Sequence, residues 1–299
     1  MQTKIEKQPK STLKISVTIE SEKVKEAYEH VLEHAVAETE VEGFRKGSAP
    51  KEMVKNKIGV STIYGDAVNE LLQKYYPQAL KENHISPVSN PKVEIKEFDL
   101  EKDFEFVAAV ATRPEIKVGN YKPELKKRYE EKLSQKKKDN EERLKKGEKL
   151  DDSHVHMGSN DVIEVLLKNS EVEIADILIE EETDRLLTRL VDQIQAVGLS
   201  MDSYLKSQDK TAEQLRKDYE KIAEQNLKAE FVLSKIIDED KIEVSEKEIE
   251  DMISAVGDEK TKERLQDPMQ KLYIKTILQK NKLISKLVEE TEGENHHEH

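Results

Sequence analysis

Apolar positions along the chain follow two periods. Leu13, Ile15, Val17 and Ile19 alternate with Lys14, Ser16, Thr18 and Glu20, the mark of a strand with one buried face. Ser21 then stands where the N-cap of a helix is expected, its hydroxyl placed to accept a free helix N–H. Val24, Ala27, Tyr28, Val31, Leu32, Ala35 and Val36 follow at helical spacing, and the stripe stops at Val41-Glu42-Gly43. Pro50 can begin a second helix, since the first turn does not need its missing N–H, and Gly59 interrupts it. Ile63, Ala67, Val68, Leu71, Leu72, Tyr75 and Leu80 mark a third helix, with a kink expected near Pro77. After turns at Pro87 and Pro91, Val93 and Ile95 predict a short strand, and Phe104, Phe106, Ala108 and Val110 a longer one. Strand, helices, strands in this order describe a small α+β domain ending near Arg113-Pro114.

Beyond Gly119 the strand signals stop. Residues 123–146 read as a Lys/Glu-dense helix with few core positions (Leu125, Tyr129, Leu133, Leu144), and Gly147 to Asn160 as a polar loop. Helical patterns resume at Val162–Leu167 and Ile177–Val197. Thr211 with Gln214, and Ser245 with Glu248, are capping-box pairs opening two further helices. A last stripe runs from Leu272 through Ile274, Ile277, Leu278, Leu283 and Ile284 to Leu287, and disorder is expected after Thr291.

Composition sharpens this picture. Of 299 residues, 38% are charged and only 35% hydrophobic, which favours an elongated, helix-rich body over a sphere. The absence of cysteine excludes a disulfide scaffold, a thiolate nucleophile and a cysteine zinc site. The polar N-terminus offers no secretory signal, and no stretch is apolar enough for a membrane helix, so a cytoplasmic protein is expected. The net charge of −13 is unevenly spread. Residues 1–119 carry 18 basic against 20 acidic side chains, 120–150 carry 12 against 7, and 151–299 carry 20 against 36. So acidic a C-terminal half is repelled by phosphate backbones, and any contact with RNA must be local.

The candidate chemistry lies in Gly43-Phe44-Arg45-Lys46-Gly47-Ser48-Ala49-Pro50. Flanking glycines permit tight turns of positive φ, so the loop projects one aromatic ring and two cations. Arg can fork onto phosphate or carboxylate, and Lys adds a point charge. On these residues alone, a plain helix connector with Phe44 tucked into the core competes with a docking element. A nucleotide-binding loop is not matched.

The stretch Gly43 to Pro50 resembles the ribosome-binding signature of bacterial trigger factors. The resemblance extends through most of residues 10–121, including Arg113-Pro114-Glu115 and Val118-Gly119-Asn120-Tyr121. A second stretch is similar to the family's C-terminal helical domain: Ser170–Ile174, Glu182–Leu187, Gly198-Leu199-Ser200 with Tyr204-Leu205, and Lys241–Ser245. The resemblance implies an α+β ribosome-binding domain (1–119) and an all-α substrate-binding domain with arm-like helices (161–299), tailing off after about 291. Between them, 120–160 is a charged helical linker where the family usually carries a prolyl isomerase domain. That interval is too short for the insert, so no isomerase activity is expected. Gly43, Phe44, Arg45, Lys46, Gly47 and Pro50 would dock beside the exit tunnel of the large ribosomal subunit, against ribosomal RNA and an acidic group on a ribosomal protein. The implied activity is ATP-independent shielding of nascent polypeptides, without cofactor, and the resemblance permits a homodimer off the ribosome.

A client cradle is expected around Met201, Leu205, Phe231, Val232, Met252, Ile253 and Met269, where flexible thioethers suit promiscuous apolar contact, although each competes with a core role. His154 and His156 with Asp151 and Asp152, and the tail residues His296, His297 and His299, are read as solvated rather than metal-binding. With 63 acidic residues, no carboxylate pair stands out as an acid–base couple, and no nucleophile elbow occurs. The rivals are a ribosome-independent holdase or assembly chaperone, a helical scaffold, and a residual peptidyl-prolyl isomerase.

Overall fold

The computed structural model describes residues 1–293. By compactness the chain divides into two units, Met1–Pro114 with Ile174–Arg185, and Glu115–Glu173 with residues 186 onward.

In the first unit, β1 (Gln2–Gln8) and β2 (Thr12–Ile19) form a hairpin, followed by α1 (Ser21–Glu38), α2 (Lys51–Ile58), α3 (Val60–Glu82), β3 (Lys92–Ile95) and β4 (Phe104–Ala111). The sheet order is β1-β2-β4-β3, all antiparallel. Ile15, Val17 and Ile19 on β2, with Phe104 and Phe106 on β4, are fully buried against Val24 of α1 and Leu71 and Tyr75 of α3. The alternation in β2 thus produces the core face that the sequence predicts.

Three local expectations change. β1 was not legible, because an edge strand whose one large apolar residue, Ile5, is exposed carries almost no period-two signal. Ser21 is the first residue of α1 rather than its cap; its N–H donates to Asp103 Oδ1 at 2.9 Å. A carboxylate remote in sequence replaces the local hydroxyl. Pro50 occupies the N-cap of α2, one position earlier than expected.

The second unit contains β5 (Ile116–Val118), α4 (Lys122–Lys146), α5 (Ser159–Lys168), β6 (Ser170–Val172), α6 (Asp176–Ala196), α7 (Met201–Ser207), α8 (Ala212–Asp240), α9 (Glu246–Ser254), α10 (Glu259–Leu265) and α11 (Pro268–Glu292). The start of α6 belongs to the first unit, where Asp176 accepts from Lys10 (2.7 Å), Glu181 from the Asn90 N–H (2.9 Å), and Glu180 pairs with Lys92. The main helical core joins Leu125 of α4, Val162 and Leu166 of α5, Val232 and Ile236 of α8, and Leu283 of α11.

β5 and β6 pair antiparallel, so strand structure does extend beyond Gly119, in a three-residue strand too short to show a period. Gly119 is required at this junction. Its N–H donates to the Asn169 carbonyl at 2.7 Å, and a Cβ there would lie 2.8 Å from the same oxygen. Both capping boxes form: Thr211 with Gln214 at α8, and Ser245 with Glu248 at α9. The last helix reaches Glu292, where disorder was expected to have begun. There the carboxylate, 5% exposed, accepts the Met157 N–H at 2.5 Å. The interval expected to replace an inserted domain is α4, an extended strap (149–158) and α5.

Candidate functional site

The loop between α1 and α2 is two turns in tandem. Phe44 N–H donates to the Val41 carbonyl at 3.0 Å and Ser48 N–H to the Arg45 carbonyl at 2.9 Å. Gly43 and Gly47 take the third position of each turn with φ of +86° and +84°. That is the position where a type II turn demands positive φ, which is why the two glycines are spaced four apart. Ala49 is buried and pins the end of the loop, while Pro50 holds it extended before α2. The Pro50 carbonyl accepts from Met53 N–H at 3.0 Å, and Val54 anchors α2 in the interior.

The charges around this loop divide sharply. Lys51 pairs with Glu29 at 2.6 Å and Glu33 at 3.6 Å. Lys55 pairs with Glu52 at 3.0 Å and lies over the Tyr28 ring. Lys57 donates to the Glu40 carbonyl at the base of the loop. Arg45 and Lys46 are exposed and, among the described residues, have no ion pair or hydrogen bond to their side chains. Phe44 is 42% exposed, so it is not tucked into the core. The double turn therefore presents an apolar ring and two uncommitted cations together. Such a surface suits an anionic partner with an apolar recess. Met53, also 42% exposed on α2, was not legible as a surface residue from its place in the helical pattern.

The seven positions expected to form a cradle do not form one surface. Val232 and Ile253 are core, 0% and 2% exposed, because helical phase turns them toward neighbouring helices. Met201 and Leu205 are half-buried against Leu190, Ile194 and Leu215 where α6, α7 and α8 meet. Phe231 is half-buried. Met252 and Met269 are exposed, Met269 at 71%.

Met269 has exposed apolar company, including Leu272, the first residue of the last helical stripe. Leu272 and Tyr273 are 57% and 64% exposed and lie three and four residues on, on the same face of α11. Leu272 also lines a groove of about 350 Å³ between α9 and α11, with Val244, Ile249 and Pro268 as its other apolar residues and Glu246, Glu250, Lys271 and Lys275 as its charged ones. The first turns of α11 thus combine a bare apolar face with a groove. That arrangement can hold an extended or helical apolar segment.

His154 and His156 lie with ring centres 6.3 Å apart, and His156 Nδ1 is 3.4 Å from Glu292. Among the described residues there is no group of three or more potential metal ligands. His296, His297 and His299 lie outside the described residues.

The two units and the double-turn loop define the chain as an α+β module joined to a helical one. Residues 1–146 match the family model described as bacterial trigger factor protein, and residues 117–289 the model of its C-terminus. The chain belongs to the bacterial trigger factor family. The two matches overlap over 117–146, so the N- and C-terminal regions follow one another without an inserted domain. Similar relatives include trigger factors of Clostridium botulinum (37% identical over 122 residues, 41% of this chain and 28% of the relative) and Staphylococcus epidermidis (39% over 108 residues, 36% and 25%). These matches span about a quarter of those relatives' length. A solved structure described as the trigger factor chaperone, in work on promiscuous substrate recognition in folding and assembly, aligns over 97% of this chain and 100% of its own. Its TM-score is 0.63 at 15% identity, a likeness of fold. No helix among the described residues is long and apolar enough to cross a membrane.

Proposed function

We propose that this chain is an ATP-independent chaperone that docks on the large ribosomal subunit near the exit tunnel through Gly43–Pro50 and shields emerging polypeptides. One observation carries the docking half. Of the cations on and beside the loop, Lys51, Lys55 and Lys57 are engaged, whereas Arg45 and Lys46 are uncommitted beside the half-exposed Phe44. Ribosomal RNA supplies phosphates and ribosomal proteins supply carboxylates, the groups an Arg–Lys pair recognises. Gly43 and Gly47 shape the loop, and Pro50 fixes its exit into α2.

The holding half rests on Met269, Leu272, Tyr273 and Met252, with the groove beside Leu272. Weak apolar contacts spread over flexible side chains let a client leave without nucleotide hydrolysis. In this reading the protein works in the cytoplasm without cofactor, and without isomerase activity because its N- and C-terminal family regions overlap and leave no interval for an inserted domain. Light scattering of a chemically denatured client, diluted into the chaperone without ATP, tests holding. Ribosome pelleting of the same protein tests docking. Suppressed aggregation and pelleting together support the reading. Suppression without pelleting makes the protein a ribosome-independent holdase, and neither makes it a scaffold. A proline-peptide assay at catalytic concentration that shows turnover would restore the isomerase alternative.

A further inference from the structure

Two helices of the second unit carry concentrated positive charge, and the structure treats them differently. From Pro268 to Val288, α11 holds five lysines and no acid. Four of these are neutralised by neighbouring helices: Lys271 by Glu250, Lys280 by Glu230, Lys282 by Glu248 and Lys286 by Asp240. Residues 136–149, the outer part of α4 and its turn, hold seven basic and four acidic side chains. Here Lys137, Lys138, Lys145, Lys146 and Lys149 are exposed and, among the described residues, none of their amines has a partner. Glu141 and Glu142 are spaced for i, i+4 pairing with them, yet no such pair closes within 4 Å.

The outer half of α4 also does nothing for the core. Leu125 is its only buried residue. From Lys132 outward the helix is held by a polar ladder to the strap. Lys132 donates to the His156 carbonyl at 2.8 Å and Lys136 to Ser153 Oγ at 2.9 Å. Asn140 and Asp151 exchange two bonds of 3.0 and 2.8 Å. Contacts at 132, 136 and 140 use one helix face and leave the rest open. Ordering a segment that adds no fully buried residue to the core opposes folding by backbone entropy, which favours a role in recognition. At its tip Leu144 and Leu150 are 66% and 41% exposed beside Lys145, Lys146 and Lys149.

We propose that the tip of α4 is a second anion-directed contact, made to RNA phosphates. In a chain of net charge −13, residues 120–150 carry 12 basic against 7 acidic side chains, so a polyanion approaches this segment without net repulsion from it. The choice of RNA among polyanions rests on the ribosome-docking reading; the charge geometry does not. The lysines act as point charges on a backbone, so the contact is sequence-independent and salt-sensitive.

The test measures binding of the full chain to a fluorescein-labelled RNA hairpin between 50 and 200 mM salt, and pelleting with ribosomes. The variants are K145Q/K146Q/K149Q, E141Q/E142Q and the loop variant F44A/R45A/K46A. Each phosphate contact contributes about −0.9 to the slope of log affinity against log salt, so losing three flattens it by about 2.7 and removes about 40-fold of the salt effect over this range. The tip variant is expected to show that flattening at unchanged helicity, and E141Q/E142Q to bind more tightly than wild type. Equal slopes for tip variant and wild type overturn the proposal, whatever the loop variant does. It is overturned too if the tip variant loses binding to poly-glutamate but not to RNA. A loop variant that pellets normally while the tip variant does not removes the loop reading and leaves this one standing.

Discussion

Gly43 and Gly47 offer a way to change the shape of the loop without touching its chemistry. Each sits at positive φ, +86° and +84°. A Cβ on Gly43 would meet nothing within 4 Å, and one on Gly47 only Ala37 backbone atoms at 3.9 Å. Replacement by alanine therefore introduces no clash, and the whole cost is the backbone conformation, about 1–2 kcal/mol per residue for an L side chain. The loop buries little beyond Ala49, so this strain is relieved by local rearrangement rather than by unfolding the domain. The presenting geometry then becomes a minor conformer, and ribosome affinity falls by about 5–30-fold for each glycine. The melting temperature is expected to move by less than about 2 °C, the lower end of what 1 kcal/mol would shift in a chain of this size. Gly43→Asn, which tolerates positive φ better, should fall between wild type and Gly43→Ala. The assay is equilibrium pelleting with ribosomes at fixed salt, paired with a thermal melt. If Gly43→Ala and Gly47→Ala both bind like wild type, the double turn is not what presents Arg45 and Lys46.

Other outcomes reach different links of the account. The Glu248 carboxyl is pushed down to about 2, first by the Ser245 N–H, then by the Ser245 hydroxyl and Lys282. Its folded pKa is depressed, so the stability it contributes is complete above its ordinary value and is lost as pH falls toward 2. The melting difference between wild type and Glu248→Gln should therefore shrink between about pH 5 and pH 2, and a constant difference counts against the capping box. Asp161 accepts from Arg128 Nε and Nη2 (3.1 and 2.9 Å), Lys132 (2.5 Å) and the Gly158 N–H (3.1 Å). Burial raises its pKa, but these bonds outweigh it and hold the carboxyl below its usual value. Asp161→Ala should cost about 2 kcal/mol in denaturant unfolding, discounted for partly exposed partners, and a loss under 0.5 kcal/mol would refute its role as a hub. Met269, Leu272 and Tyr273 changed together to serine should weaken aggregation suppression while ribosome pelleting is unchanged; undiminished suppression places the client surface elsewhere.

The helices with strong stripes and caps were legible because local chemistry and tertiary packing agree there. Thr211 with Gln214 and Ser245 with Glu248 close as their spacing predicts. The alternation of β2 likewise reads directly onto its buried face. The failures share a cause: long-range partners leave no local mark. β1 is a strand because β2 pairs with it, and α1 begins at Ser21 under the Asp103 carboxylate. Leu272 belongs to a helical stripe, yet it lies 57% exposed at the edge of the groove between α9 and α11, and a pattern cannot report how far a neighbour reaches. Val232 and Ile253, cradle candidates with a competing core role, take the core role because neighbouring helices cover them. The loop residues were legible as candidates from type and spacing. What the sequence could not show is that the neighbouring lysines are engaged and these two cations are not.

Docking through the loop is tested most directly by co-sedimentation titration with ribosomes, comparing wild type with F44A/R45A/K46A at fixed salt. An apolar anchor and two charge contacts at a recognition centre are worth at least about 1.4 kcal/mol together, so the variant should bind at least about tenfold more weakly while retaining its melting temperature. Equal affinities for the two proteins would contradict the account.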